Sequence, residues 1–206
     1  MKKTWLIVIG VLLVIVLFFM WKYNGMVGKD QAVKTAWSQV QNVYQRRLDL
    51  IPNLVNTVKG AAAQESGVLV AVVNARANAT KMDININDAQ AMAQFQKSQW
   101  EVSSALSKLL AVVENYPTLQ SIQAFRDLMT QLEGTENRIT VERKNFNDAV
   151  NTYNVFIRVF PNNIIAGMFG FQMANLFEAA TGAEIAPTVD FNAPAPAATT
   201  PVPTAQ

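Results

Sequence analysis

Arg46-Arg47-Leu48-Asp49-Leu50-Ile51-Pro52-Asn53-Leu54-Val55 sets a proline, two arginines and a carboxylate inside a hydrophobic repeat that otherwise reads as unbroken helix. A proline in a helix interior has no N–H to donate and clashes with the preceding turn, at about 3 kcal/mol. A chain that keeps it there bends or splits the helix. Around it, Val33, Trp37, Val40, Tyr44, Leu48, Ile51, Val55, Val58, Ala62, Glu65, Leu69 and Val72 step by threes and fours. That spacing predicts one helix face sustained through Pro52 and continuing to about Met82. Forty such residues extend about 60 Å, so the partner helices must run alongside. Three rods result if Pro52 only kinks the first pattern, four if it splits it.

Residues 83–88, Asp-Ile-Asn-Ile-Asn-Asp, read as a connection carrying helix-capping side chains. A second helix follows on Met92, Phe95, Gln99, Val102, Leu106, Leu109, Val113 and Tyr116, and Pro117 ends it. The third starts near Thr118 or Ser121. Its seam is Phe125, Leu128, Leu132, Glu136, Ile139, Arg143, Phe146, Val150, Tyr153, Ile157 and Phe160, closed by Pro161. The spacing averages about 3.5, the value of antiparallel bundles and coiled coils. No alternating strand pattern occurs, so the folded part is all-α.

The ends of the chain differ from its middle. Residues 5–21 form a seventeen-residue apolar run with Lys2 and Lys3 before it and Lys22 after it. This is the short end of a spanning length, with Trp5 and Trp21 where interfacial aromatics belong. A cleaved signal peptide has a shorter apolar region and a small-residue cleavage site. Residues 22–26 offer no such site, and without cysteine a lipoprotein anchor is excluded. A retained single-pass transmembrane anchor is expected, with the lipid bilayer as its partner. Lys2 and Lys3 ahead of the run nearly balance Lys22, Lys29 and Lys34 behind it. The short basic N-terminus favours the expectation that the remaining domain lies on the extracytoplasmic side of the cytoplasmic (inner) membrane. Residues 162–182 are apolar, punctuated by glycine and too short to span. They are expected to hold a short helix that caps the bundle, lies on lipid or joins subunits. From Ala186 the chain is rich in proline, alanine and threonine, and a disordered tail is expected. Three regions follow: residues 1–22, the basic N-terminus and anchor; 23–182, the helical bundle; and 183–206, the tail.

Of 17 basic residues, Lys2 and Lys3 precede the anchor, leaving 15 against 15 acidic ones. The folded part is net neutral and shows no block of like charge, which argues against nucleic acid as a partner. The chain has neither histidine nor cysteine. Ser-His-Asp and Cys-His nucleophiles and ordinary zinc sites therefore have no residues to form them. No phosphate-binding loop or nucleophile elbow occurs either. A non-enzymatic protein without cofactor or metal is expected.

Polar residues on the seams remain to be explained. Glu65, Gln99, Glu136 and Arg143 fall at positions the repeat places inside, and Arg46 and Arg47 flank another. They read as a solvated edge, as an internal network fixing helix register, or as a subunit contact. With Asp49, Pro52, Glu114, Phe169, Phe171 and Phe177 they are the candidates for bundle and assembly roles.

Tyr23-Asn24, Ala36-Trp37-Ser38-Gln39-Val40, residues 46–55 and Val58-Lys59-Gly60 resemble the signature of LemA family proteins. So do Glu65, Ala75-Arg76, Val113-Glu114-Asn115-Tyr116-Pro117 and Leu132-Glu133-Gly134-Thr135-Glu136-Asn137-Arg138-Ile139. Tyr153-Asn154, Phe160-Pro161-Asn162, Gly170-Phe171 and Phe177-Glu178-Ala179 complete the set. The resemblance spans about residues 20–180. Gln64 stands where the family often has histidine, and Asn145-Phe146-Asn147 where Tyr-Asn is commoner. It implies a bacterial single-pass membrane protein with an elongated antiparallel helical domain, and no cofactor or established activity. A self-associating scaffold (a homo-oligomer) is expected, or an accessory subunit whose membrane protein partner is a protease or envelope-stress system.

Overall fold

The computed structural model describes residues 2–60, 65–81 and 84–178. Six helices account for most of them: α1 (Lys2–Lys59), α2 (Ser66–Thr80), α3 (Ala89–Val113), α4 (Pro117–Gln120), α5 (Gln123–Arg158) and α6 (Asn162–Phe169). No strand occurs among the described residues. The expected tail at 183–206 and Asp83 of the expected connection lie outside the described residues.

Fifty-eight residues at 1.5 Å each make α1 a rod of about 87 Å. Its first third is the apolar run, exposed along its length, with only Phe169 of α6 bordering its last turns; it fits a membrane anchor. The helix then enters the bundle without a break. Val33, Trp37, Val40, Tyr44, Leu48, Ile51 and Val58 are buried in turn. α5 lies antiparallel beside it: Arg47 meets Glu136, Trp37 meets Phe146, and Gly25 meets Phe156. Gly25 suits that approach, because a Cβ there would lie 3.2 Å from the Phe156 ring, which would have to give by a few tenths of an ångström.

The reading of residues 33–82 as one rod is corrected. The helix passes through Pro52 and stops at Lys59, and the chain reverses before Ser66. α2 then runs back along α1, so the distal half holds four helices. The apolar period persists across the reversal because α1 and α2 face the same core, which makes the two helices indistinguishable from one long helix by spacing. Leu69, Val72, Ala75 and Ala79 form the buried face of α2. Pro52 is accommodated from the outside. Lacking an N–H, it leaves the carbonyl of Leu48 without its usual i+4 donor. Arg76 of α2 supplies one, its Nε lying 2.8 Å from the Leu48 oxygen.

α3 is antiparallel to α2 and hence parallel to α1. It starts on Asp88, whose carboxylate accepts the Gln90 and Ala91 N–H groups. It ends at Val113, and Pro117 opens the one-turn α4 at a position where a missing N–H costs nothing. α5 ends at Arg158, two residues earlier than the spacing suggested, and Phe160 is 80% exposed in the corner before α6.

After α6 the chain passes through Gly170, whose φ of 73° is the left-handed conformation of a helix C-terminus. Residues 171–178 then run extended along α5, so the apolar C-terminal segment is only partly helical. Two asparagines one heptad apart clasp this segment. Asn147 donates to the Phe177 carbonyl and accepts its N–H; Asn154 does the same for Ala174. The Tyr153 hydroxyl donates to Gln172 O, and Asn175 donates twice to Ile86 O.

The interior is divided. A distal core joins Ile51, Leu54 and Val58 to Val72, Val102, Leu109 and Leu119. A proximal core, on the side of the apolar run, joins Met26, Val33 and Val40 to Phe146, Val150, Ile165 and Phe177. Trp37, Tyr44, Phe95, Phe146 and Phe177 stack edge-on or tilted within it, at centroid separations of 5.2–6.3 Å.

Candidate functional site

The two cores meet at Arg47. On α1 it falls between Tyr44 of the proximal core and Leu48 of the distal one. Gln99 falls likewise between Phe95 and Val102 on α3, and Glu136 between Leu132 and Ile139 on α5. These side chains form a polar layer across the bundle. Arg47 is 2% exposed. Its Nη1 donates to Ser103 Oγ at 2.9 Å and Glu136 Oε2 at 3.0 Å. Its Nη2 donates to the Gln99 side-chain and backbone oxygens at 2.6 and 3.2 Å. The guanidinium also stacks over the Tyr44 ring, 5.1 Å from its centroid. Nε finds no partner among the described residues. The partnership is lopsided: the Glu136 side chain is 55% exposed, so water retains part of the carboxylate's charge.

That asymmetry arises because Glu136 lines a cleft. α3 and α5 stand apart above α1, leaving an open groove of about 590 Å³ floored by Tyr44 and Arg47. Gln96 and Trp100 line one wall, Glu136 and Arg143 the other, and Glu178 closes the proximal end. Trp100 is 63% exposed. Arg143 donates to the Glu178 carbonyl and sits 4.7 Å over the Phe177 ring, while the Glu178 N–H donates to Gln96. Burial pushes the Tyr44 phenol above its ordinary value of 10.0; the Arg143 and Arg47 charges pull it back and Glu136 adds to the rise. Tyr44 therefore stays protonated at neutral pH. No cluster of acidic residues able to hold a metal ion occurs among the described residues.

The structure gathers Arg47, Glu136, Arg143 and Phe177 around this layer and its groove. It leaves the other candidates apart. Arg46 and Asp49 face solvent, Asp49 accepting from Gln45 one turn away. Glu65 precedes α2 without a capping hydrogen bond, and Glu114 is exposed at the end of α3. Pro52 acts through the Leu48 carbonyl. Phe169 and Phe171 flank Tyr23 at the opposite end of the bundle, 4.8 and 5.8 Å between ring centroids. In the anchor, Trp5 and Trp21 are exposed, and Lys22 Nζ lies 5.2 Å from the Trp21 ring. Sequence reasoning missed the structural parts of Arg76, Ser103, Asn147 and Asn154. For the asparagines a signal existed: each directly follows a buried seam aromatic, Phe146 or Tyr153, at a seven-residue interval.

The chain resembles magnetosome proteins MamQ 1 and MamQ 2 of Paramagnetospirillum magneticum, each 29% identical over 84% of this chain and 71% of the relative. Magnetosome protein MamQ of Magnetospirillum gryphiswaldense is 27% identical over 76% of this chain and 64% of the relative. The sequence profile of the LemA family matches residues 36–191, which takes in the arginine layer, Pro52 and the asparagine clasps: the chain belongs to the LemA family.

Proposed function

We propose that this membrane-associated helical protein is a non-enzymatic scaffold that self-associates at the bacterial inner membrane, its bundle on the extracytoplasmic side. One observation carries the reading: α1 passes from the apolar run into the bundle as a single helix, so the bundle is held as a rod at a fixed angle to its anchor. Such a rod presents faces rather than a reaction centre. Val70 and Val73 lie exposed on the outer side of α2 and offer apolar area for a second copy. The relatives named as magnetosome proteins are in keeping with a role at a membrane. Light scattering on full-length protein in mild detergent should give a mass that rises with concentration. A constant monomer mass would remove self-association. A topology reporter fused after Glu178 tests the side; a cytoplasmic signal would reverse it.

The open groove beside Trp100 favours a second reading, in which the rod also holds a segment of another membrane protein. Photo-crosslinking from position 100 in native membranes should then yield one defined heterologous product, and self-links alone would refute it.

A further inference from the structure

The corner between α5 and α6 exposes apolar side chains that the bundle leaves uncovered. Phe160 is 80% exposed, Met168 68%, Phe169 55% and Ile164 52%. Ile164 and Met168, one turn apart on α6, share a face, with Phe160 just ahead of them. A face this apolar needs a cover, and its position says which. From Arg47–Glu136 to Trp37–Phe146, α1 and α5 step in opposite directions by ten residues each, and Gly25–Phe156 continues the register. Extending it sets Phe160 level with Lys22. Phe169 packs on Tyr23 and closes a cleft of about 420 Å³ whose other wall is Ile15, Val16, Phe19 and Met20. Those four belong to the anchor's apolar run, so Phe169 lies at their depth.

The anchor's length points the same way. Seventeen residues rise about 26 Å, short of a hydrocarbon core of about 30 Å. The shortfall is about 4 Å, or three residues, which draws Lys22, Tyr23 and Asn24 to the boundary and the corner with them. Lys22 and Lys29, 5.9 and 5.1 Å from the Phe156 ring, and the exposed Arg158 flank the corner with positive charge. Lysine and arginine beside an apolar face are the composition of an interfacial helix, which sinks about 5–10 Å into the headgroup region.

We infer that the α5–α6 corner is a second membrane contact, with Phe160, Ile164 and Met168 seated at the headgroup–acyl boundary of the bilayer that holds the anchor. The protein would then grip the membrane at two points, one on α1 and one at the corner leading from α5 into α6, and α6 would fix the rod's tilt and rotation. This rests on the anchor reading of α1, and the test keeps the two apart. The chain lacks cysteine, so single substitutions give unique label sites. Full-length Phe160→Cys, Ile164→Cys and Met168→Cys proteins carrying a bimane label are reconstituted in phosphatidylcholine–phosphatidylglycerol vesicles with nitroxide lipids. Leu13→Cys serves as the deep control and Trp100→Cys as the aqueous one. The corner labels should emit to the blue of the position-100 label and lose intensity with nitroxides placed near the headgroup. Emission and quenching equal to position 100 would overturn the inference. So would blue-shifted labels that lipid nitroxides leave bright, because a second copy would then cover the corner. If the Leu13 label escapes deep nitroxides, the anchor reading fails and takes the inference with it.

Discussion

Arg76 and Pro52 should be coupled although neither side chain bonds to the other. Pro52 removes the donor that the Leu48 carbonyl would have in a regular helix, and Leu48 is only 3% exposed. Arg76 Nε fills the vacancy at 2.8 Å. Replacing Arg76 with Met keeps most of the stem and deletes the donor. The buried carbonyl is then unpaired, a loss of about 1–3 kcal/mol. In a Pro52→Ala background the new N–H of residue 52 reaches the same oxygen, and Arg76→Met should cost no more than an ordinary surface change, about 0.5 kcal/mol. The coupling expected from the double-mutant cycle is therefore about 1–2 kcal/mol. Thermal unfolding of the full chain in mild detergent, followed by helical circular dichroism, should read it. For a domain of this size it corresponds to a few degrees, at about 2–4 °C per kcal/mol. Pro52→Ala alone should leave helix content unchanged, because α1 already runs through that residue. If Arg76→Met costs the same in both backgrounds, the Leu48 contact is incidental and the account of the proline is wrong.

Four further outcomes follow from the geometry. Arg47→Ala should destabilise by about 3 kcal/mol by emptying a buried site and stranding Gln99, whereas Leu at 47, 99 and 136 together should recover that loss while broadening amide exchange across both cores; a triple variant as unstable as the single one would contradict this. Asn147→Leu with Asn154→Leu removes four hydrogen bonds to the extended segment and should make residues 171–178 cleavable by protease under conditions where α5 stays intact; unchanged resistance would show that Phe177 alone holds the segment. Gly170→Ala forces a Cβ into the left-handed region at φ 73° and should cost about 1–2 kcal/mol in unfolding free energy; a neutral result would mean that the α6 terminus adjusts freely. Tyr153, buried and near Asp30, is pushed up to about 12 from 10.0. The folded state thus favours its protonated form, a stabilisation that is complete below pH 10 and disappears as pH rises through 12, so a melting-temperature titration should fall over that window and the fall should shrink in Tyr153→Phe.

The sequence carried the fold class, the anchor and the buried face of α1 up to Val58, because these depend on local period and composition. The reversal after Lys59 was hidden, since α2 continues the same three-four step towards the same core. Gly60 and Gly67 were the nearby breakers, and a single glycine weakens a helix by only about 1 kcal/mol. The site was less legible for a different reason. Arg47 finds its partners 52 to 89 residues away, on helices whose pairing no spacing within α1 specifies. The repeat did mark Gln99, Glu136 and Arg143 as misplaced polar residues. It did not say that Glu136 would face a groove, because α3 and α5 are held apart by the aromatic cluster and the segment 171–178 wedged between them.

The proline and the arginine sit within two turns of α1, and each asks something of a different neighbour. Arg47 points towards α3 and α5, and only one alignment of those helices brings Gln99, Ser103 and Glu136 within reach together. Leu48, the next residue, turns its carbonyl towards α2, and only one alignment of that helix offers Arg76. Apolar seams alone tolerate sliding by a turn, since one leucine or valine replaces another at modest loss. A buried guanidinium and an orphaned carbonyl do not, because each leaves an unpaired polar group if its partner moves. All three neighbours are thus indexed to a single point on α1. Because α1 also carries the apolar run, that point lies at a fixed distance along the rod from it, about 40 Å beyond Trp21 at 1.5 Å per residue. The bundle's internal register and its distance from the apolar run are consequently set by one and the same helix.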